Sequence, residues 1–142
     1  MDVSVVFDIG KTNKKCFVFG GEYQILHQEY IEIPEVTDDD GFAADDLEAM
    51  VNWIHATLNT LQTKRKYHIT TVNFSTYGAS FVHLDLQGKP VAPLYNYLKP
   101  VPRELFETFY KTYGPAAKLA KQTASPTLGM LNSGFQLYWL KH

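Results

Sequence analysis

The amino-acid sequence predicts an α/β fold in which a mixed β-sheet packs against helices. Two observations support this fold class. Three strand-like segments joined by tight turns occupy the first 33 residues, and an amphipathic helix then leads into a fourth strand pattern. Tight turns join antiparallel strands, whereas a helical crossover allows parallel pairing. The sheet is therefore expected to contain both kinds of pair.

The N-terminal segment is predicted to be an antiparallel meander. Apolar residues alternate over residues 3–9, a second short strand covers residues 16–19, and a third runs from about residue 25 to residue 33. Gly10 begins the first turn, and Pro34 stops the third strand because proline lacks an N–H for the ladder.

The clearest helix follows an acidic stretch at residues 37–41, which is expected to be a solvated loop. Asp45 and Glu48 have the spacing of a capping box, and apolar residues recur at helical intervals as far as Leu61. Residues 69–75 are then predicted to form the fourth strand. If this strand joins the first sheet, the crossover makes it parallel to the first strand.

The second half of the chain contains weaker strand patterns and clear helices. Residues 79–86 and 91–97 are predicted to be strand-like segments joined by a turn, and residues 103–113 a helix that continues for a turn or two at 116–120. A last amphipathic segment, roughly 134–140, has no stop signal after it. This ending leads us to expect that the chain is the beginning of a longer protein; a short protein with a frayed C-terminal helix is the alternative interpretation.

Composition narrows the functional classes. The 142 residues include 13 Lys and Arg against 15 Asp and Glu, for a net charge of −2, and 45% are hydrophobic. This balance argues against a disordered polyelectrolyte and a basic nucleic-acid arm. The single cysteine, Cys16, excludes an internal disulfide and is expected to be a core residue. With no apolar run near ~18 residues and no secretory pattern, we expect a cytoplasmic protein without membrane or nucleic-acid partners.

The stretch from Asp8 to Lys15 carries the most chemical information. Gly10 allows close approach of a ligand to the backbone, turn N–H and hydroxyl groups can donate to phosphate oxygens, and Asp8 can hold a hydrated Mg²⁺. Such a turn suits the end of a nucleotide triphosphate, and a lysine-rich surface turn is the alternative interpretation. Walker-type spacing is absent. The candidate phosphate-binding residues are Asp8, Gly10, Lys11, Thr12, Asn13 and Lys15, with Lys14 adding positive charge.

Four blocks in order resemble the N-terminal part of FGGY-type carbohydrate kinases. The first is the turn just described, which is similar to the first phosphate motif of the actin/hexokinase/Hsp70 fold. The others are Ser75–Asp85 with Gly88-Lys89-Pro90, then Leu94–Lys99, then the loop from Thr123 and the Trp-Leu-Lys helix. The second block is nearest to rhamnulokinase-like and fuculokinase-like members. The resemblance implies a ribonuclease-H-like fold and one incomplete N-terminal domain over 1–142, with a meander (1–34), a helix and fourth strand (35–75), a sugar-side hairpin (76–102) and a helical segment (103–142).

The resemblance also implies an activity. Kinases of this family pass the γ-phosphoryl of ATP to a sugar hydroxyl, so ATP and Mg²⁺ are the implied cofactors and a ketose or deoxyketose the implied substrate. Asp8 would hold Mg²⁺ through water. The catalytic base, an Asp supplied later in such chains, has no counterpart here, so the fragment itself is expected to be inactive. The implied sugar-binding residues are Thr76, Tyr77, Gly78, Ser80, Tyr95, Asn96 and Tyr97.

The sequence departs from the family pattern at several positions. Lys11 stands where the family usually has Thr, and Leu98-Lys99 replaces an Arg-Asp pair. Ser75 and Ser80 replace acidic residues of the rhamnulokinase block. Because a serine hydroxyl and a carboxylate accept different hydrogen bonds, the sugar hydroxyls that are recognised must differ as well.

Two other functional classes are compatible with the pattern. A Holliday-junction-resolvase-like nuclease of the same fold would use Asp8 and Asp85 to hold metal ions, but the chain lacks a basic stripe for phosphate contacts. The other is a non-catalytic sugar-binding or regulatory module. Whichever class applies, the isolated chain is expected to associate with itself, because its last helix and one sheet face lack a covering.

Overall fold

The computed structural model describes residues 1–142 in full. The chain forms two compact units, Met1–Val36 with Asp45–Gly78, and Thr37–Ala44 with Ala79–His142. None of its helices combines the length and apolar character that a membrane span requires. The elements are β1 (Asp2–Ile9), β2 (Asn13–Phe19), β3 (Ile25–Glu32), β4 (Val36–Thr37), β5 (Ala43–Asp45), α1 (Leu47–Thr63), β6 (His68–Thr76), β7 (Leu94–Tyr95), α2 (Arg103–Tyr113), α3 (Ala116–Thr123), a 3₁₀ turn (Gly129–Leu131) and α4 (Ser133–Lys141).

The first unit contains the predicted mixed sheet. Its strand order is β3-β2-β1-β6, with β1 and β3 each antiparallel to β2. The helix α1 leads into β6, which pairs in parallel with β1. The meander, the crossover and the parallel fourth strand are therefore confirmed.

The core of the first unit lies against one face of this sheet. Phe7 of β1 is fully buried, contacts Trp53 of α1 edge-on with ring centroids 5.2 Å apart, and stacks on Phe74 of β6 at 5.4 Å. Cys16 is buried on the same side, as expected for a core residue. Its burial, with a smaller effect of the Glu29 charge, raises the pKa of the thiol to about 12 and keeps it protonated. This packing fixes the ends of β1 and β2, which carry the first turn.

The start of α1 differs from the predicted capping box by one residue. Asp46, not Asp45, is the N-cap, and its carboxylate accepts a hydrogen bond from the backbone N–H of Ala49 at 2.8 Å. The prediction that Asp45 caps the helix was wrong because the Asp45 carboxylate binds two side chains elsewhere in the same unit.

The predicted hairpin of the second unit is much shorter than expected. One bridge pairs Leu84 with Pro90, and regular strand structure is limited to β7, in a small sheet of order β4-β5-β7. The Asp85 carboxylate accepts hydrogen bonds from the N–H groups of Gln87 and Lys89, which closes a turn locally. Pro90 and Pro93 supply no backbone donors, so a strand over residues 91–97 does not form.

The predicted helical segments are present as α2, α3 and α4. Phe109 of α2 packs on Phe135 and Tyr138 of α4, with ring centroids 5.1 Å and 5.0 Å apart. These aromatic contacts give the second unit a core of its own.

Candidate functional site

The turn between β1 and β2 is tightly closed. The N–H of Gly10 donates to the carbonyl oxygen of Asn13 at 3.0 Å, and a Cβ at position 10 would lie only 2.7 Å from that oxygen. Any larger residue would have to displace backbone, so the turn requires glycine here. The side chains of Thr12 and Asn13 are exposed at its tip.

Asp8 and Lys15 face each other where the two strands enter this turn. They are register partners, and the Lys15 ammonium lies 3.5 Å from the Asp8 carboxylate. Both side chains are more than a third exposed, at 39% and 34%. An exposed pair of this kind is weak, so either group can exchange its partner for a ligand of opposite charge.

Lys11 is engaged by two carboxylates. Its ammonium donates to Glu35 at 2.7 Å and to Asp45 at 2.9 Å, all within the first unit. Burial opposes the charged form, but the hydrogen bonds to Glu35 and Asp45 outweigh it and raise the pKa of Lys11 above its ordinary value. Its charge is thus compensated by the protein, and Lys11 tethers the turn.

Lys14 supports the backbone of the turn from within, a position that sequence analysis did not assign to it. Its side chain is 1% exposed, and its ammonium donates to the carbonyl oxygen of Lys11 at 2.9 Å. No carboxylate lies within ion-pair distance of it. The alternation of buried positions along β2, shared with Cys16 and Val18, could have shown that this lysine points inward.

The Asp45 carboxylate joins two groups of predicted site residues in the first unit. One of its oxygens accepts from Lys11, and the other accepts from the Tyr77 hydroxyl at 2.9 Å. The N–H of Tyr77 also donates to the carbonyl of Ile9 at 3.1 Å. A buried carboxylate therefore holds the turn after β1 to Tyr77, which lies between Thr76, the last residue of β6, and Gly78.

The other predicted sugar-binding residues lie in the second unit. The Ser80 hydroxyl donates to the Tyr95 carbonyl at 3.4 Å, and the Tyr95 hydroxyl lies 3.1 Å from each carboxylate oxygen of Asp39. Burial, followed by the bond to Asp39, raises the pKa of Tyr95 to about 12. Asn96 is buried and accepts from the N–H of Leu98 at 2.9 Å, whereas Ser80 and Tyr97 are partly exposed.

The acidic stretch expected to be a solvated loop contains a buried ion pair, so that prediction was wrong for Asp38. The Lys99 ammonium lies 2.6 Å from Asp38 and 2.6 Å from Asp40, over the rings of Tyr95 and Trp139 at 4.6 Å and 4.5 Å. Burial alone would raise the pKa of Asp38, but hydrogen bonds from Lys99 and from backbone N–H groups lower it. An internal lysine therefore compensates these carboxylates.

Comparison with known proteins is consistent with this geometry. Residues 3–142 match the sequence profile of the N-terminal domain of the FGGY family of carbohydrate kinases. Among curated protein sequences, none matches significantly.

Solved structures of kinases share the fold. A carbohydrate kinase from Novosphingobium aromaticivorans is 24% identical, with a TM-score of 0.79 over 96% of this chain. A gluconate kinase from Lactobacillus acidophilus (17% identity, TM-score 0.77) and Plasmodium falciparum glycerol kinase with ADP (21%, 0.76) each match over 99%. The chain spans 28% of the length of each. The family match does not favour the nuclease alternative. This chain belongs to the FGGY family of carbohydrate kinases, in the region of their N-terminal domain.

Proposed function

We propose that the protein carrying this chain transfers the γ-phosphoryl group of ATP to a sugar hydroxyl, and that this chain supplies its first phosphate-binding turn. One observation carries the proposal: where the two strands enter the closed turn at Gly10, the Asp8 carboxylate and the Lys15 ammonium are both partly exposed. The family match supplies the reaction class, and the similar glycerol kinase structure contains ADP.

The residues present fit a hydrated magnesium ion and a phosphate chain. Asp8 is a partly exposed carboxylate at a strand end, and the side chains of Thr12 and Asn13 are exposed at the tip of the turn. Mg²⁺ would neutralise phosphate charge, and Asp8 would hold it through water. Lys15 would turn from Asp8 toward the phosphates, where Thr12 and Asn13 can also donate. Phosphoryl transfer depends mainly on such positioning and charge compensation.

The sugar would be bound by residues of the 76–97 region. Tyr77, Ser80 and Tyr97 are partly exposed and offer hydroxyl groups and rings, whereas Tyr95 and Asn96 shape the loop from within. Ser75 and Ser80 stand where rhamnulokinases carry carboxylates, so we propose a ketose or deoxyketose other than rhamnulose. The catalytic base would come from outside these 142 residues.

A substrate panel tests the proposal. The full-length protein would be assayed for ADP release with Mg-ATP and a series of pentuloses and deoxyhexuloses. We expect turnover that depends on the sugar and is selective for one stereochemical group. Absence of sugar-dependent turnover with every member, in a protein that is folded by circular dichroism, would refute the proposed function.

A further inference from the structure

Gln136 is a buried amide in α4 whose hydrogen bonds reach the predicted sugar-binding segment. Its side chain is almost fully inaccessible, and its Nε2 group donates to the carbonyl oxygens of Ala79 and Met130. All three residues belong to the second unit. A side-chain amide has two N–H donors, so both are used by these two carbonyls.

Ala79 adopts a backbone conformation that needs support. Its φ of +58° lies in the left-handed region, which is unfavourable for a residue with a Cβ. Ala79 directly precedes Ser80, whose hydroxyl donates to the carbonyl of Tyr95. The orientation of Ser80 therefore depends on the backbone conformation of Ala79, whose carbonyl accepts the hydrogen bond from Gln136.

The same helix also contacts the other side of this segment. Trp139, three residues after Gln136, packs edge-on against the Tyr95 ring with centroids 4.9 Å apart. Since α4 touches both Ala79 and Tyr95, it can fix the spacing between the two segments that carry Ser80 and Tyr97.

We propose that Gln136 is a positioning residue for the sugar: it holds Ala79 in the left-handed conformation and thereby sets the direction of Ser80. This role rests on the proposed kinase function. A buried apolar side chain of the same length would fill the same space but could not donate hydrogen bonds. The proposed role therefore depends on the N–H donors of the Gln136 amide and not on its volume.

The test compares Gln136→Met with Gln122→Met in the full-length protein. Gln122 is an exposed glutamine of α3, so its variant is the matched control. We expect Gln136→Met to raise the KM for the sugar by about tenfold and to leave the KM for ATP unchanged. A role in stability alone would lower the active fraction, and hence kcat, without changing the KM for the sugar, and would overturn the proposal.

A second substitution tests the route through Ala79. Glycine adopts a φ near +58° without the Cβ penalty, so Ala79→Gly should make the Gln136 bond less necessary. The double variant Ala79→Gly/Gln136→Met is expected to lie within about threefold of Ala79→Gly in its KM for the sugar. A double variant as impaired as Gln136→Met alone would refute the coupling.

Amide hydrogen exchange provides a readout that needs no turnover. In the 142-residue chain, Gln136→Met should accelerate exchange at residues 79–81, and Gln122→Met should not. Unchanged exchange there would overturn the positioning role. A wild-type protein without sugar-dependent turnover would instead refute the proposed function, so the two failures are distinguishable.

Discussion

Replacing Asp45 tests whether this carboxylate is the anchor of the first unit. In Asp45→Ala, the Lys11 ammonium loses its 2.9 Å partner and the Tyr77 hydroxyl loses its 2.9 Å acceptor. The Asp45 side chain is only 4% exposed, so water cannot fully replace it. A hydrogen bond to a charged group contributes about 1.5–3 kcal/mol, so losing both should cost at least about 3 kcal/mol even though Lys11 keeps Glu35.

The measurement is urea and thermal unfolding of the 142-residue chain. For a domain of this size, Asp45→Ala should lower Tm by about 10–15 °C. Asp45→Asn retains an acceptor for Tyr77 and should cost about 1–2 kcal/mol, because Lys11 keeps Glu35. Since the pKa of Lys11 is raised, its stabilising effect is present below the unfolded-state pKa and is lost only as pH rises through the folded value. The loss of stability caused by Asp45→Ala should therefore not change between about pH 6 and 9.

The neighbouring Asp46 provides the control. Asp46→Ala removes the N-cap bond to Ala49 and should cost about 1 kcal/mol, well below Asp45→Ala. If Asp46→Ala proves equally or more destabilising, the assignment of Asp45 as the anchor is refuted. Lys11→Met should add little in the Asp45→Ala background, since only the pair with the more exposed Glu35 is then left to lose.

Further predictions concern catalysis, acid stability and assembly. In the full-length protein, Asp8→Ala should abolish turnover yet leave sugar affinity in calorimetry nearly unchanged; loss of sugar binding would contradict the role of Asp8. Lys14→Met should raise the KM for ATP by about tenfold while changing stability by less than about 1 kcal/mol in urea titrations, because an apolar side chain can replace a buried charge. Because the pKa of Asp38 is lowered, the Lys99 pair should stabilise the chain above about pH 4 and weaken as pH falls through the folded-state value; Asp38→Asn should flatten that loss in acid titrations, and an unchanged profile would contradict it. The isolated chain should self-associate, since Phe74 is 51% exposed on β6, and a single monomeric species in concentrated sedimentation runs would exclude this.

The parts of the fold that follow from local pattern were predictable from the sequence. Alternating apolar residues and a glycine turn define β1 and β2, and the helical period of α1 implies the crossover to a parallel β6. The predicted strand over residues 91–97 does not form, because its alternation of apolar and polar residues is weak and nearby residues favour a turn. Asp85 closes its own turn, and two prolines remove ladder donors.

The site was less predictable because its key contacts join residues far apart in the chain. Lys99 and Asp38 are separated by 61 positions, and Gln136 and Ala79 by 57. Periodic patterns in a sequence reveal which residues share a helix face or a strand face, and they do not reveal contacts over such distances along the chain. At the start of α1, Asp45 and Asp46 have equal capping chemistry, and only the distant Lys11 and Tyr77 decide which of the two is drawn away from the helix.

The departure at Lys11 illustrates how the chain absorbs an unusual residue at a phosphate turn. A lysine in place of threonine would add positive charge where phosphates are expected to bind. Glu35 and Asp45 compensate that charge, and Asp45 also holds Tyr77, so the substitution becomes part of the structural support of the turn. The exposed cation available to a phosphate is then Lys15, beside Asp8, while the buried Lys14 holds the turn backbone through the Lys11 carbonyl. We therefore propose that three lysines, which composition alone would treat as equivalent, have different roles: Lys11 tethers the turn, Lys14 supports its backbone and Lys15 is the phosphate ligand.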